Sequence, residues 1–252
     1  MSFMVRGRLV AAGRLTLSPG SGVSWGVTCV RTLPVALALA LAGCAHPSAL
    51  DARIDDLLSR ARTNEPGVTA RLQSLAETHG AALIKLEYRL KTRSSMTRKL
   101  RKMAREQPGK DPSQLALNDA LRYTFSVDDA PTGHYLATVT SVLTALEADR
   151  HQVVHIKNYW PRGDSYSGLN CVLSAADGSL WELQFHTPAS IAVQAATRSQ
   201  YEELRLLSTP VETKRRLFDE MTRAWGEVPV PAGLVAEDSI HPRSKKKILP
   251  RP

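Results

Sequence analysis

Leu169-Asn-Cys-Val-Leu-Ser-Ala-Ala-Asp-Gly-Ser-Leu-Trp-Glu-Leu-Gln-Phe-His186 is the stretch whose reading decides the fold. Leu169–Ala175 and Ser179–His186 are rich in β-formers, and Asp177-Gly178 between them supplies what a tight hairpin turn requires. In the second strand Glu182, Gln184 and His186 alternate with Trp181, Leu183 and Phe185. Successive strand side chains point to opposite faces, so the polar trio shares one face and the apolar trio the other. Such a strand belongs to a sheet with one face in the core and one lining a cleft.

Outward from the hairpin, Gln152–Trp160 reads as a strand of β-branched residues, and Leu117–Val127 as a strand ending in alternating β-formers. His134–Ala148 between them is helical. Toward the N-terminus, Ala49–Arg62 and Val68–Arg89 read as two helices separated by Pro66-Gly67. In the second, Leu72, Leu75, Ala76, Ala82, Leu83 and Leu86 form a stripe. Pro188–Leu207 and Val211–Trp225 are helical on the C-terminal side. This order predicts an α+β (mixed α/β) domain with one mixed sheet of about five strands flanked by helices.

The 252 residues are 43% apolar and 23% charged, which excludes wholesale disorder. Three cysteines are too few for a disulfide framework. A net charge of +9 favours a polyanionic ligand without naming it. Residues 1–43 hold Arg6, Arg8, Arg14 and Arg31 and no acid, and Leu33–Ala42 is an uncharged apolar run. Ten helical residues reach only about 15 Å, too short for a hydrocarbon core but the length of a signal-peptide h-region. Leu41-Ala42-Gly43-Cys44 follows and resembles a bacterial lipobox, whose cysteine carries the lipid. The expected organisation is a signal segment (1–43), the lipobox cysteine with a linker helix (44–66), the domain proper (67–228), and a loose Pro-rich basic tail (229–252). An exported, membrane-anchored lipoprotein is expected, or a cytoplasmic protein if the start site or the signal is misread.

Four segments carry chemistry. In the basic run after Arg89, Lys91, Ser95 and Lys99 are spaced i, i+4, i+8, so a helix would place two ammonium groups and a hydroxyl on one face, suited to phosphate oxygens. Asp119-Ala-Leu-Arg122 offers a carboxylate at a strand start, where Mg²⁺ (or Mn²⁺) takes its remaining ligands from water and phosphate. Lys157-Asn-Tyr159-Trp-Pro-Arg162-Gly-Asp-Ser-Tyr166-Ser-Gly-Leu-Asn170 can clamp a base by stacking and a phosphate by charge. Glu182 and Gln184 occupy the polar face of the hairpin strand.

In this order the four segments resemble the RelA/SpoT-type alarmone synthetase domain, over about Leu83–Arg205. Its pattern runs R-x-K-x-x-x-S-x-x-x-K, an Asp-bearing strand ending in Arg, a K-x-Y loop with a second tyrosine, and E-x-Q-x-x-T. The resemblance implies a nucleotidyltransferase-like fold and transfer of the β,γ-diphosphate of ATP to the 3′-hydroxyl of GDP, GTP or an adenosine nucleotide. It implies that Arg89 stacks on adenine and that Lys91, Ser95, Lys99 and Arg122 hold the donor. On the acceptor side it implies Lys157, Tyr159, Arg162, Tyr166 and Asn170. Glu182 would serve as base or metal ligand, with Gln184 beside it and Asp119 sharing the metal. Three departures stand out. Leu117 occupies the family's usual Asp place, Asn170 replaces the usual histidine, and Gln184-Phe-His-Thr187 replaces the housekeeping Q-I-R-T, as in the secreted and toxin-associated branch. Two alternatives follow from these departures: transfer to the 3′ end of tRNA, or a catalytically silent nucleotide-binding lipoprotein.

Overall fold

The computed structural model describes residues 48–160, 165–234 and 240–246, within a compact unit spanning His46–Pro252. The apolar run 33–42, Cys44 and Arg162 lie outside the described residues. In chain order the elements are α1 (Ala49–Thr78), β1 (Ala82–Ile84), α2 (Arg93–Glu106), β2 (Arg122–Ser126), α3 (His134–Ala148), β3 (Gln152–Asn158), β4 (Leu169–Ser174), β5 (Leu180–His186), α4 (Pro188–Ala196), α5 (Arg198–Leu204), α6 (Val211–Gly226) and β6 (Ser244–Lys246).

The hairpin forms as its sequence dictates. Gly178 takes φ 78°, a conformation that side chains resist, and Asp177 Oδ1 accepts the Ser179 N–H at 2.9 Å. The sheet has six strands in the order β1-β2-β5-β4-β3-β6. β2 runs parallel to β5 and β3 parallel to β6, while the other neighbours are antiparallel. One face is apolar: Tyr123, Phe125, Trp181, Leu183, Phe185, Cys171 and Leu173 are buried there. Removing side chains of this size from water contributes roughly 1.5–3 kcal/mol each. Polar tips on this face find partners: Tyr135 Oη of α3 donates to Phe185 O at 2.8 Å, and Trp160 Nε1 donates to Tyr135 Oη at 3.1 Å.

Five expectations are corrected. The two N-terminal helices are one, because α1 runs unbroken through Pro66. Proline removes one ladder bond at a cost of about 3 kcal/mol. Here Ile54, Leu58, Ala61, Val68, Leu72 and Leu75 bury one continuous stripe, and Tyr123 Oη donates to Glu65 O at 3.2 Å. Packing on both sides of the proline outweighs the lost bond. The helix stops at Thr78, and Ala82–Ile84 instead pairs with β2 as an edge strand of the mixed sheet.

Residues 117–120 are irregular rather than strand, so Asp119 precedes β2 and does not start it. Lys91 likewise precedes α2, whose N-cap is Thr92, so Lys91, Ser95 and Lys99 are not one helical stripe.

The chain after 229 is not wholly loose. Asp129 Oδ2 accepts the Ala232 N–H at 2.9 Å, Asn158 Nδ2 donates to Leu234 O at 2.9 Å, and Leu234 and Ile240 are buried. Ser244–Lys246 then adds to β3, with Lys245 in register with Lys157. A Pro-rich, basic composition reads as solvated, but isolated apolar residues and free backbone groups suffice to fasten such a segment to an open sheet edge.

Candidate active site

The polar sheet face is the candidate site. Register places Arg122, Thr124 and Ser126 of β2 beside Glu182, Gln184 and His186 of β5, and Asn170 of β4 beside Gln184. Lys157 of β3 follows Asn170, two strands beyond Gln184 or roughly 10 Å at ordinary strand spacing. Cα partners share a face, so one surface collects Arg122, Glu182, Gln184, Asn170 and Lys157.

Glu182 is the centre. Its carboxylate accepts from Gln184 Nε2 at 2.6 Å. Burial raises its pKa above the ordinary carboxylate value, the negative charge of Asp119 adds to that, and Arg122, Lys99 and the Gln184 bond only partly offset them. A carboxylate displaced toward neutrality in this way is poised to take a proton.

The segment before α2 is pinned alongside. Lys91 N donates to Ala120 O at 2.9 Å, Arg122 N donates to Arg89 O at 2.8 Å, and Leu90 bridges Leu121. Thr92 caps α2, and buried Met96 and Leu100 fix its rotation. Asp119 is thereby gripped from two sides, by Lys91 Nζ at 2.7 Å and Lys99 Nζ at 2.9 Å. Burial pushes its pKa up, but Lys99 and Lys91 outweigh burial and hold it below its usual value. Since Asp119 and Lys99 both act on Glu182, the lysines of the basic run and the hairpin glutamate occupy one cleft. Ser95 is half-buried on the first turn of α2.

Two expected groups are otherwise engaged. Arg89 Nε donates to Glu65 Oε1 at 2.5 Å, and Arg89 Nη1 donates to Leu86 O at 2.7 Å. That anchors the guanidinium to α1 instead of leaving it loose over the cleft. Tyr166 sits in an aromatic cluster, with ring centroids 5.2 Å from Tyr159, 5.5 Å from His186 and 5.4 Å from Trp225. Its hydroxyl donates to Asn170 Oδ1 at 2.9 Å and lies 3.0 Å from His186 Nε2.

Gly168, Ser190, Lys85 and Arg198 were given no role by motif reasoning, and His186 was placed on the polar face of its strand without one. His186 is fully buried, and burial with the nearby charges of Lys85 and Arg122 lowers its pKa to about 3, so it is neutral. Its Nδ1 lies 3.0 Å from Ser190 Oγ in the capping box of α4. A Cβ at Gly168 would fall 2.7 Å from His186 Cε1, so only glycine lets the loop close on that ring. The alternation of β5 does signal His186; Lys85, a charge inside the apolar run 83–86, carries a weaker signal.

Asp119 and Glu182 have the donor chemistry for Mg²⁺. They are hard oxygen ligands whose charges oppose each other, and a cation between them would relieve that opposition. No group of three or more His, Cys, Asp or Glu side chains able to hold a metal occurs among the described residues. Two carboxylates nevertheless suffice for a magnesium ion that draws its other ligands from water and substrate phosphates.

No protein-family model matches the chain, and no curated protein is significantly similar to it. Solved structures are similar over 68% of it. They include the Type VI effector Tas1 in complex with its immunity protein, 18% identical over 94% of that chain with a TM-score of 0.44. The small alarmone synthetase 1 from Bacillus subtilis is 16% identical over 89% of its chain with a TM-score of 0.47. The same synthetase bound to its product pppGpp is 15% identical over 90% of its chain, TM-score 0.46.

Proposed function

We propose that this chain is a nucleotide pyrophosphokinase that transfers the β,γ-diphosphate of ATP to the 3′-hydroxyl of GDP, GTP or an adenosine nucleotide. The observation that carries the reading is Glu182, its affinity for a proton raised, beside Arg122 on the polar sheet face and near Asp119, which Lys91 and Lys99 grip. Glu182 takes the proton of the acceptor 3′-hydroxyl while that oxygen bonds to the β-phosphorus. The bond from this phosphorus to the α,β-bridging oxygen breaks, and AMP leaves. Lys91 and Lys99 exchange Asp119 for donor phosphate oxygens, which frees Asp119 toward a metal. Asp119 and Glu182 would hold Mg²⁺, which would supply charge neutralisation on the transferring group. Gln184 holds the glutamate in place, and Lys157 meets the acceptor.

The test is AMP release from ATP in the presence of GDP, GTP, ADP or tRNA, with the product identified by mass. Glu182→Gln lowers it by about 10²–10⁴-fold. A tRNA acceptor is the second reading, favoured by Arg98, Arg101 and Arg105, which lie exposed on α2 without an acidic partner among the described residues. Phosphate-backbone contacts of that kind would make tRNA turnover fall steeply with salt. We also propose that the chain is exported and lipidated at Cys44, which mass spectrometry of the mature N-terminus checks.

A further inference from the structure

A row of hydrogen bonds joins the first turn of α4 to the start of β4. Ser190 Oγ accepts the Thr187 N–H at 2.9 Å and lies 3.0 Å from His186 Nδ1. His186 Nε2 lies 3.0 Å from Tyr166 Oη, and that hydroxyl lies 2.9 Å from Asn170 Oδ1. Ser190 and His186 are fully buried, while Tyr166 and Asn170 are half-buried. Gly168 closes over the middle of the row, for a Cβ there would fall 3.1 Å from Tyr166 Oη and 3.2 Å from His186 Nδ1.

Each hydroxyl has a single proton and so does a neutral imidazole, which lets the row be resolved atom by atom. Burial above all, with Lys85 and Arg122 nearby, holds the pKa of His186 to about 3 and keeps the ring neutral. Asn170 Oδ1 has no proton to give, so it takes that of Tyr166. The phenol oxygen then meets Nε2 with lone pairs only, and Nε2 must carry the imidazole proton. Nδ1 is therefore bare and takes the proton of Ser190 Oγ. The other acceptor within reach of that hydroxyl, Thr187 O at 2.9 Å, already receives the Ile191 N–H at 3.0 Å. Sending the serine proton there would leave a buried ring nitrogen facing lone pairs, which costs more than a second bond to a satisfied carbonyl gains.

Every donor in the row thus points from Thr187 toward Asn170, whose Oδ1 is spent. Its Nδ2 has no hydrogen-bond partner among the described residues. Register sets Asn170 between Lys157 and Gln184, the residue that holds Glu182.

We propose that His186 is a positioning residue, held by Ser190 as the Nε2–H tautomer, which through Tyr166 turns the Asn170 amide so that it offers N–H donors to the acceptor nucleotide. The atom met there is an oxygen or a ring nitrogen without hydrogen, and a donor such as an exocyclic amine is turned away. The tautomer rests on the hydrogen bonds alone; the ligand rests on the pyrophosphokinase reading.

A long-range proton–nitrogen correlation spectrum of the isotope-labelled full chain reads the ring directly, with His186 assigned by its loss in His186→Gln. A protonated Nε2 and a bare Nδ1 are expected. The opposite pattern overturns the proposal whether or not the protein turns over ATP. The second arm is calorimetric titration with GDP and, separately, ADP. Tyr166→Phe keeps the aromatic ring and removes only the hydroxyl, and it weakens binding about fivefold, the worth of one hydrogen bond. His186→Leu weakens it at least as far, whereas His186→Gln, whose amide can still donate to Tyr166 Oη, stays within about twofold of the parent. Unchanged affinity in folded Tyr166→Phe overturns the positioning role, as does a parent that binds neither nucleotide. The two readings fail separately. AMP release from a parent with a protonated Nδ1 removes the row and leaves the activity. The expected tautomer and the fivefold loss, without AMP release from the parent, remove the activity and leave the row.

Discussion

Glu182 and Asp119 are two carboxylates in one cleft pushed in opposite directions, and pH should expose the difference. As a base Glu182 must be ionised, so turnover falls as pH drops through its raised pKa, above the usual carboxylate range. Glu182→Gln lowers the rate of AMP release by about 10²–10⁴-fold while leaving nucleotide binding in place. Asp119, with its pKa depressed, stabilises the fold above its ordinary pKa of 3.8 and loses that contribution as pH falls through the lower folded value. Asp119→Asn leaves Lys91 and Lys99 without their partner and costs about 1–3 kcal/mol in urea unfolding. His186 obeys the opposite chemistry with the same sign. Its folded pKa of about 3 lies below the ordinary 6.5, so its contribution is complete above 6.5 and declines as pH falls toward 3. The melting temperature should therefore drop between pH 7 and pH 5, and His186→Gln should flatten that drop.

Among the elements, α1 carries a conflict between local and tertiary preference. Pro66 lacks the N–H of a helix interior, yet the helix continues because its stripe packs on both sides of it. Pro66→Ala restores the bond and should stabilise the protein by about 1–3 kcal/mol, read as a higher urea midpoint. At the other end of the site, the loop before β4 closes on His186 only because residue 168 has no side chain. Gly168→Ala places a methyl 2.7 Å from the ring and costs about 1–3 kcal/mol, with the aromatic cluster around Tyr166 displaced.

At the scale of the molecule, the sheet is extended at both ends by three-residue strands that composition hides. The tail is the clearer case. Deleting residues 229–252 uncovers the positions filled by Leu234 and Ile240 and strips β3 of its partner. Thermal denaturation should show a loss of about 3–6 kcal/mol, where a solvated tail would show none.

How much of this was legible follows from range. The β4–β5 hairpin, the helix at His134–Ala148 and the shared face of Glu182, Gln184 and His186 come from local rules: turn chemistry, the 3.6 period and strand alternation. The sequence therefore determined by itself the mixed sheet, its cleft-lining strand and the residues gathered as a basic run. Contacts made by residues far apart in the chain decided the rest. Pairing of Asp119 with Lys91 and Lys99, the anchoring of Arg89 on Glu65, the burial of Lys85 beside Arg122, and the docking of the tail each join segments whose separation leaves no periodic trace. Their energies depend on which groups lose water together, a property of the assembled molecule and not of any stretch of its chain.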